Sequence, residues 1–185
     1  MSRLADKLET HKRIIKVAAK AFRERGLNGI SLADVMAESG GTVGGFYKHF
    51  ESRDALVVEA LSSALAEYDP TRGGQATLSE FISRYLSIEH RDSPGEGCAT
   101  AALLGDLGRA KEGARDVATN QFEKGISYIQ TALEEHSSDQ RDNAVLLISA
   151  MMGAVALSRV VNDPKLSIEI LDTAKNKLLA MSEPR

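Results

Sequence analysis

The chain holds a single cysteine, four prolines and no tryptophan in 185 residues. One cysteine, Cys98, excludes an internal disulfide and any cysteine-rich zinc site, and it fits a reducing cytosol. The four histidines (His11, His49, His90 and His136) form no H-x-x-x-H pair, so no metal is expected. The opening residues, MSRLADKLETHKR, lack the apolar core of a signal peptide. Long apolar runs are nearly missing too. The longest, Ala144–Leu157, has fourteen residues. As a helix it would cover about 21 Å, short of the roughly 30 Å of a bilayer's hydrocarbon core. Arg159 follows at once, so a buried helix is expected there. No repeat, low-complexity tract or cofactor-binding loop is present, and no cofactor is expected.

Charge of one sign is scarce only on average. The net charge is −3, yet residues 1–55 carry ten Lys/Arg against seven Asp/Glu, and the remainder carries thirteen against nineteen. A basic front on an acidic body is the first pointer to a polyanionic partner.

Runs of alternating β-branched residues are also absent, and Pro and Gly mark the breaks between helical patterns. The chain is expected to be all-α, with about nine helices. Ile14, Val17, Ala18, Ala21 and Phe22 recur at spacings of three and four, giving a first helix from about Leu4 to Arg25, stopped by Gly26. Ser31-Leu-Ala-Asp34 resembles a capping box and opens a short second helix. Ser39-Gly40-Gly41 is a turn. Thr42 caps a third helix running to about His49, and Ser52 caps a fourth reaching about Tyr68, with Asp54 near its positive end. A linker spans 69–74. Thr77-Leu-Ser-Glu80 caps a fifth helix ending near Arg91. After a second break at 92–97, helices are expected from Cys98 to about Arg109, from about Ala114 to His136, and from Ser137-Ser-Asp139 through Val161. Asp163-Pro164 opens the last, whose stripe is Leu166, Ile170, Leu171, Ala174, Leu178 and Met181.

Two short helices joined by a small-residue turn suggest a helix-turn-helix. The third helix strengthens this reading. Gly44 and Gly45 stand in its first turn, where each costs about 1 kcal/mol relative to alanine. A helix kept only for packing would gain by losing them. A helix start that must approach another surface gains from bare N–H groups facing a phosphate. Tyr47, Lys48 and His49 follow, all able to donate to phosphate oxygens.

Gly26, Ser31, Ser39-Gly40, Thr42, Gly44, Phe46-Tyr47, His49-Phe50 and Arg53-Asp-Ala-Leu56 together resemble the TetR family of bacterial transcriptional repressors, over roughly residues 8–60. From about residue 70 only helix number and length are similar. The resemblance implies a DNA-binding domain over 1–52 and an effector-binding, dimerising domain over 53–185. It implies that Val43 and Gly45 read base edges, that Thr42, Tyr47, Lys48 and His49 hold phosphates, and that Gly44 keeps the helix start bare. Ser31 and Arg53 would touch the DNA backbone, and Phe46, Phe50 and Leu56 would be core. Two departures stand out. Gly41 replaces an aliphatic residue of the turn, and Gly45 leaves the third helix nearly bare. Val43 can meet a thymine methyl, and with so few readers a share of the specificity is expected from DNA shape.

The same resemblance implies a homodimer through the last two helices, with Ala144, Ile148, Met151, Met152, Val155 and Leu157 as contact residues around small Ala150, Gly153, Ala154 and Ala156. Packing within one subunit explains the same run. A twofold dimer sets two reading helices about one DNA turn apart, on a near-palindromic operator. The fifth to eighth helices would enclose a small-molecule effector, with Phe81, Tyr85, Leu104, Phe122 and Tyr128 as lining. His90 and Arg91 are read either as capping residues or as polar ligand contacts. Cys98 opens a helix after Gly95-Glu-Gly97, where the helix dipole can favour a thiolate, and some family members sense electrophiles or oxidants at such a junction. Glu96 opposes thiolate formation, and a lone cysteine is commonly an inert small residue. The competing reading is an all-α detoxifying enzyme or ligand carrier with Cys98 as nucleophile and His90 as base, although no third group orders that pair.

Overall fold

The structure is a computed structural model that describes residues 3–67, 77–133 and 140–182. These residues form ten helices and no strand. They are α1 (Arg3–Arg25), α2 (Leu32–Glu38), α3 (Val43–Phe46), α4 (Arg53–Glu67), α5 (Leu78–Tyr85), α6 (Ile88–Asp92), α7 (Ala99–Leu107), α8 (Glu112–Ala132), α9 (Gln140–Val160) and α10 (Pro164–Ser182). The linker expected at 69–74 and the Ser137-Ser-Asp139 helix start lie outside the described residues, as do the helix ends expected at Tyr68 and His136.

Local chemistry accounts for most boundaries. The Ser31–Asp34 and Thr77–Glu80 capping boxes are both complete. Thr42 accepts from Gly45 N–H, Ser52 from Ala55 N–H and Asp163 from Lys165 N–H. Gly26 closes α1 at φ +82 with a bond from its N–H to Phe22 C=O, a left-handed cap that suits glycine. The tenth helix arises because the expected fifth one breaks. Leu86 leaves helical geometry, and Ser87 caps a new turn by accepting from His90 N–H.

The core falls into two apolar clusters. One joins α1–α4 to Ala99, Leu103 and Leu107 of α7 and to Ala114 and Ala118 of α8. The other joins α5 to Cys98, Ala101, the end of α8, α9 and α10. The first cluster therefore runs past residue 52, through α4 and into α7. By length and composition α9 could cross a membrane. Ala144, Leu147, Met151 and Val155 bury one of its faces against the chain, while Val145, Leu146, Leu157 and Val160 stay exposed on another. Of the large side chains expected at a dimer contact on this helix, only Leu157 is exposed. Met151 and Val155 belong to the chain's own core, because the expected stripe faces α7, α8 and α10.

Three polar side chains, Arg23, Asp106 and Arg53, tie the front helices to the rest. Arg23 is charged yet only 6% exposed. Its guanidinium donates to Ala19 C=O, to Gly97 C=O and to Glu67, joining α1, the loop before α7 and α4. Asp106 of α7 accepts from Leu27 N–H at 2.9 Å. Arg53 donates to the carbonyls of Leu27 and Ile30. The turn between α1 and α2 is thus held from α7 and from α4.

A buried guanidinium leaves its acceptors unsatisfied when it is removed, which costs about 2 kcal/mol. Arg23→Met is expected to lower the urea midpoint by about that free energy. Arg25→Met, which breaks an exposed pair with Glu38, should leave the midpoint nearly unchanged.

Candidate nucleic-acid interface and effector cavity

Beyond the Gly40 turn (φ +74) the chain presents one compact polar edge. α3 is a single turn of α-helix, and tighter turns carry the chain through Tyr47, Lys48 and His49. Phe46 is wholly buried and stacks on Phe50 at 5.2 Å, anchoring the edge from below. Thr42, Val43, Gly44, Tyr47 and Lys48 are exposed, with Val43 at 43% and Tyr47 at 66%. Gly45 and His49 are half-buried. A Cβ added to Gly44 would meet nothing within 4 Å, and one added to Gly45 only Thr42 Oγ1 at 3.5 Å. The protein's own packing therefore demands neither glycine.

His49 sits 6.0 Å from His11, whose ring stacks on Phe50 and meets Glu59 at 2.7 Å. Burial, helped by the charges of His11, Lys7 and Lys48, holds His49 below the usual imidazole range. Its Nδ1 is buried without a partner among the described residues.

Two expected backbone contacts are otherwise occupied. Ser31 gives its hydroxyl proton to Asp34 at 2.6 Å, and these bonds hold the Asp34 carboxyl below its usual range. A carboxylate thus already stands at the start of α2. Arg53 spends one guanidinium nitrogen on the carbonyls of Leu27 and Ile30 and lies over the Phe22 ring, so it fastens the α1–α2 turn.

Behind this edge lies a cavity of about 40 Å³. Phe81, Tyr85 and Cys98 line it as expected. Leu104, Phe122 and Tyr128 do not. Leu104 points outward at 38% exposure, Phe122 packs against the first core, and Tyr128 sets its ring edge-on behind Phe81 at 5.9 Å. Residues missed by sequence reasoning complete the wall: Leu65 of α4, Thr100 of α7, Gln121, Gly125 and Ile129 of α8, and Ile148, Met151 and Met152 of α9. Gly125 carries a legible signal, since a Cβ there would meet Ile148 Cδ1 at 2.7 Å. A mid-helix glycine marks this close approach of α8 to α9.

His90 is a structural hub. Cys98 N–H donates to its Nε2 at 3.0 Å, so Nδ1 carries the proton and donates to Tyr85 C=O at 2.6 Å. Arg159 holds the carbonyls of His90 and Arg91. Arg91 itself pairs with Asp92 and donates to Ser167. Gly97 must be small, because a Cβ would stand 2.6 Å from His90 Nε2. Both ring nitrogens serve backbone groups, which leaves no lone pair for the Cys98 thiol. The Cys98–His90 nucleophile–base pairing is therefore not built here.

An all-α chain with this exposed two-helix corner at its front and a cavity in its body belongs to the class of helix-turn-helix regulators. Residues 14–60 match the family model described as bacterial regulatory proteins, tetR family. Residues 14–60 thus carry the N-terminal domain of the tetR family of bacterial regulatory proteins, and the whole chain has the fold of TetR-family regulators. It is 22% identical to the HTH-type transcriptional repressor DhaR of Mycobacterium sp. (strain GP1), covering 92% of each chain. It is 24% identical to the HTH-type transcriptional regulator LmrA of Bacillus subtilis (strain 168), over 81% of this chain and 86% of that one. Among solved structures it resembles Escherichia coli NemR in its reduced form (TM-score 0.76, 19% identity, 92% and 95% covered). It also resembles a TetR-family regulator from Cytophaga hutchinsonii (TM-score 0.77, 20% identity, 100% and 98% covered).

Burial holds His90 below the ordinary imidazole range. Its unfolded value is near 6.5, so below that pH the unfolded chain takes up a proton that the folded one refuses. Stability is complete above pH ~6.5 and falls beneath it, by at most about 1.4 kcal/mol per pH unit. Urea midpoints measured from pH 8 to 5 should show this slope, with His49 adding in the same direction. His90→Gln should reduce it.

Proposed function

We propose that the protein is a ligand-responsive repressor that binds a near-palindromic operator as a homodimer and is released by a small effector. The division of labour falls near residue 52. Thr42, Tyr47, Lys48 and His49 hold phosphates, and Val43 reads a base edge. The observation that carries this reading is the bare start of α3. Gly44 and Gly45 have room for a side chain in the free protein and cost helix stability, so the reason to keep them lies in a partner that comes close. The same argument supports a second copy on α9. Gly153 is mid-helix with nothing within 4 Å of an added Cβ, and it lies on the helix that exposes Val145, Leu146, Leu157 and Val160. DhaR, similar over nearly its whole length, is a repressor.

In this reading the cavity is the effector site, and α7 links it to the front helices. Thr100 in its first turn and the Cys98 N-cap before it line the cavity, while Asp106 near its end holds Leu27. A ligand that favours one placement of α7 shifts the population of DNA-competent protein. Cys98 lines that cavity and supplies a thiol through which an electrophile or oxidant acts. NemR, a structural relative, was solved in a form described as reduced.

The decisive measurement is a mobility shift on a duplex selected from a random pool. We expect retention of an inverted-repeat duplex that weakens with salt. Failure to retain any duplex overturns the reading. Gly44→Ala and Gly45→Ala should each stabilise the free protein by about 1 kcal/mol while weakening the selected duplex at least tenfold, and Val43→Ala should narrow the gap between selected and scrambled DNA. Unchanged affinity in the glycine variants would remove α3 from the interface. For Cys98, the wild type should release DNA on treatment with a quinone, an aldehyde or peroxide, and Cys98→Ser should not. Equal release by both proteins removes the thiol from the mechanism.

A further inference from the structure

Resting on the effector reading above, the geometry points to the chemical class of the ligand: an uncharged, mainly apolar molecule carrying one hydrogen-bond-accepting oxygen, held by the hydroxyl of Thr100. Two independent features of the cavity lead there. The first is its wall. Eleven residues from α4, α5, α7, α8, α9 and Cys98 form it, and none is charged. A carboxylate or ammonium entering it would lose its water with no counter-charge to replace it, so ionic effectors are excluded. Phe81 and Tyr85 offer ring faces and edges, and Met151 and Met152 offer polarisable sulfur, a lining suited to flat or unsaturated ligands.

The second feature is Thr100. It is 1% exposed, lines the cavity, and its Oγ1 has no hydrogen-bond partner among the described residues. The position explains this. A threonine deeper in a helix turns its hydroxyl onto a carbonyl three or four residues back. Thr100 is the second residue of α7, so the carbonyls behind it lie in the preceding loop, and that of Gly97 is already taken by Arg23. Around it the first turn of α7 has free N–H groups, because Cys98 at the N-cap makes no side-chain capping bond. A buried hydroxyl without a partner beside unused N–H donors is a place prepared for an acceptor oxygen, as in a ketone, a quinone or an ether.

The cavity as it stands has room for a few waters at most. An aryl-sized ligand must displace side chains, and the unbranched Met151 and Met152 are the ones able to swing. Met152 is half-buried and so stands at the margin of the wall.

The test uses three probes of nearly one shape: acetophenone, with a neutral acceptor oxygen; ethylbenzene, with none; and benzoate, with a charge. Binding to the full chain is read by thermal shift and calorimetry, independently of DNA. Acetophenone should bind at least tenfold tighter than ethylbenzene, and benzoate should not bind. Thr100→Val, which keeps the shape, should abolish the preference for acetophenone, leave ethylbenzene unchanged, and raise the midpoint of the empty protein by removing the unpaired hydroxyl. Benzoate binding as well as acetophenone, a preference that survives Thr100→Val, or no binding by any probe would overturn the proposal. A mobility shift with the same probes separates the two readings. Acetophenone that binds without weakening the DNA complex leaves the ligand class standing and removes its role as effector.

Discussion

The structure depends on one buried guanidinium. Arg23 is shut away from water, so its nitrogens must find acceptors or the charge becomes prohibitively costly. It finds them on three elements at once: its own helix, Glu67 at the end of α4, and Gly97 in the loop before α7. That requirement fixes the loop. Gly95 and Gly97 are small because Glu24 and His90 occupy the space beside them. His90 then receives Cys98 N–H while Arg159 of α9 holds its carbonyl. A continuous set of directional bonds thus runs from α1 to α9 past the mouth of α7. At the other end of α7, Asp106 repeats the connection to α1 through Leu27. The helix lies as a strut fastened at both ends to the front helices, with its first turn in the cavity wall.

What the sequence made legible follows from the range of the interactions involved. Caps are local, and Ser31, Thr42, Ser52, Thr77 and Asp163 act where their types and spacings place them. The front edge was legible because a run of nine residues holds nearly all of it. The break at Leu86 was not, since no Gly or Pro marks it and the ring of His90 locks the following turn to Tyr85 and Cys98. The cavity was half legible. Its aromatics stood out, whereas Thr100, Gln121 and Met152 reach it only because five segments converge. Leu104 and Phe122 have the right chemistry on the wrong faces of their helices. Arg53 shows what the family pattern leaves out: one nitrogen of its guanidinium clamps two backbone carbonyls.

Glycines divide along the same line. At Gly97 and Gly125 a side chain would collide with His90 or Ile148, so the fold itself accounts for them. At Gly44 and Gly153 nothing in the chain competes for the space. A glycine inside a helix is a standing loss of stability. Where intramolecular packing does not explain that loss, a second molecule is the remaining source of selection for it. Gly44 and Gly153 lie on two different elements, the front edge and α9, and in the proposed reading these are the surfaces a dimer on DNA would use.

The uneven charge of the chain then needs a finer reading than the +3 of residues 1–55. Arg23, Arg25 and Arg53 belong to that count, and Lys20 does too. Each is engaged within the protein: Arg23 with Glu67, Arg25 with Glu38, Lys20 with Glu96, and Arg53 with backbone carbonyls. Lys48 is the one cation on the exposed edge itself, and Lys12, Arg13 and Lys16 stand exposed on α1. With Lys7 also exposed on α1, five cations of the front segment have no ion pair among the described residues, and only one of them stands on the edge. In the proposed reading the salt dependence scales with how many of these reach phosphates. In the proposed reading neutral donors carry more of the contact: the N–H groups of Val43 and Gly44 at the start of α3, the Tyr47 hydroxyl and the Thr42 hydroxyl. Such contacts are short-ranged and need the backbone close to the phosphate. In that reading the bare first turn of α3 and the single cation of the edge are two parts of one solution, in which close approach substitutes for charge.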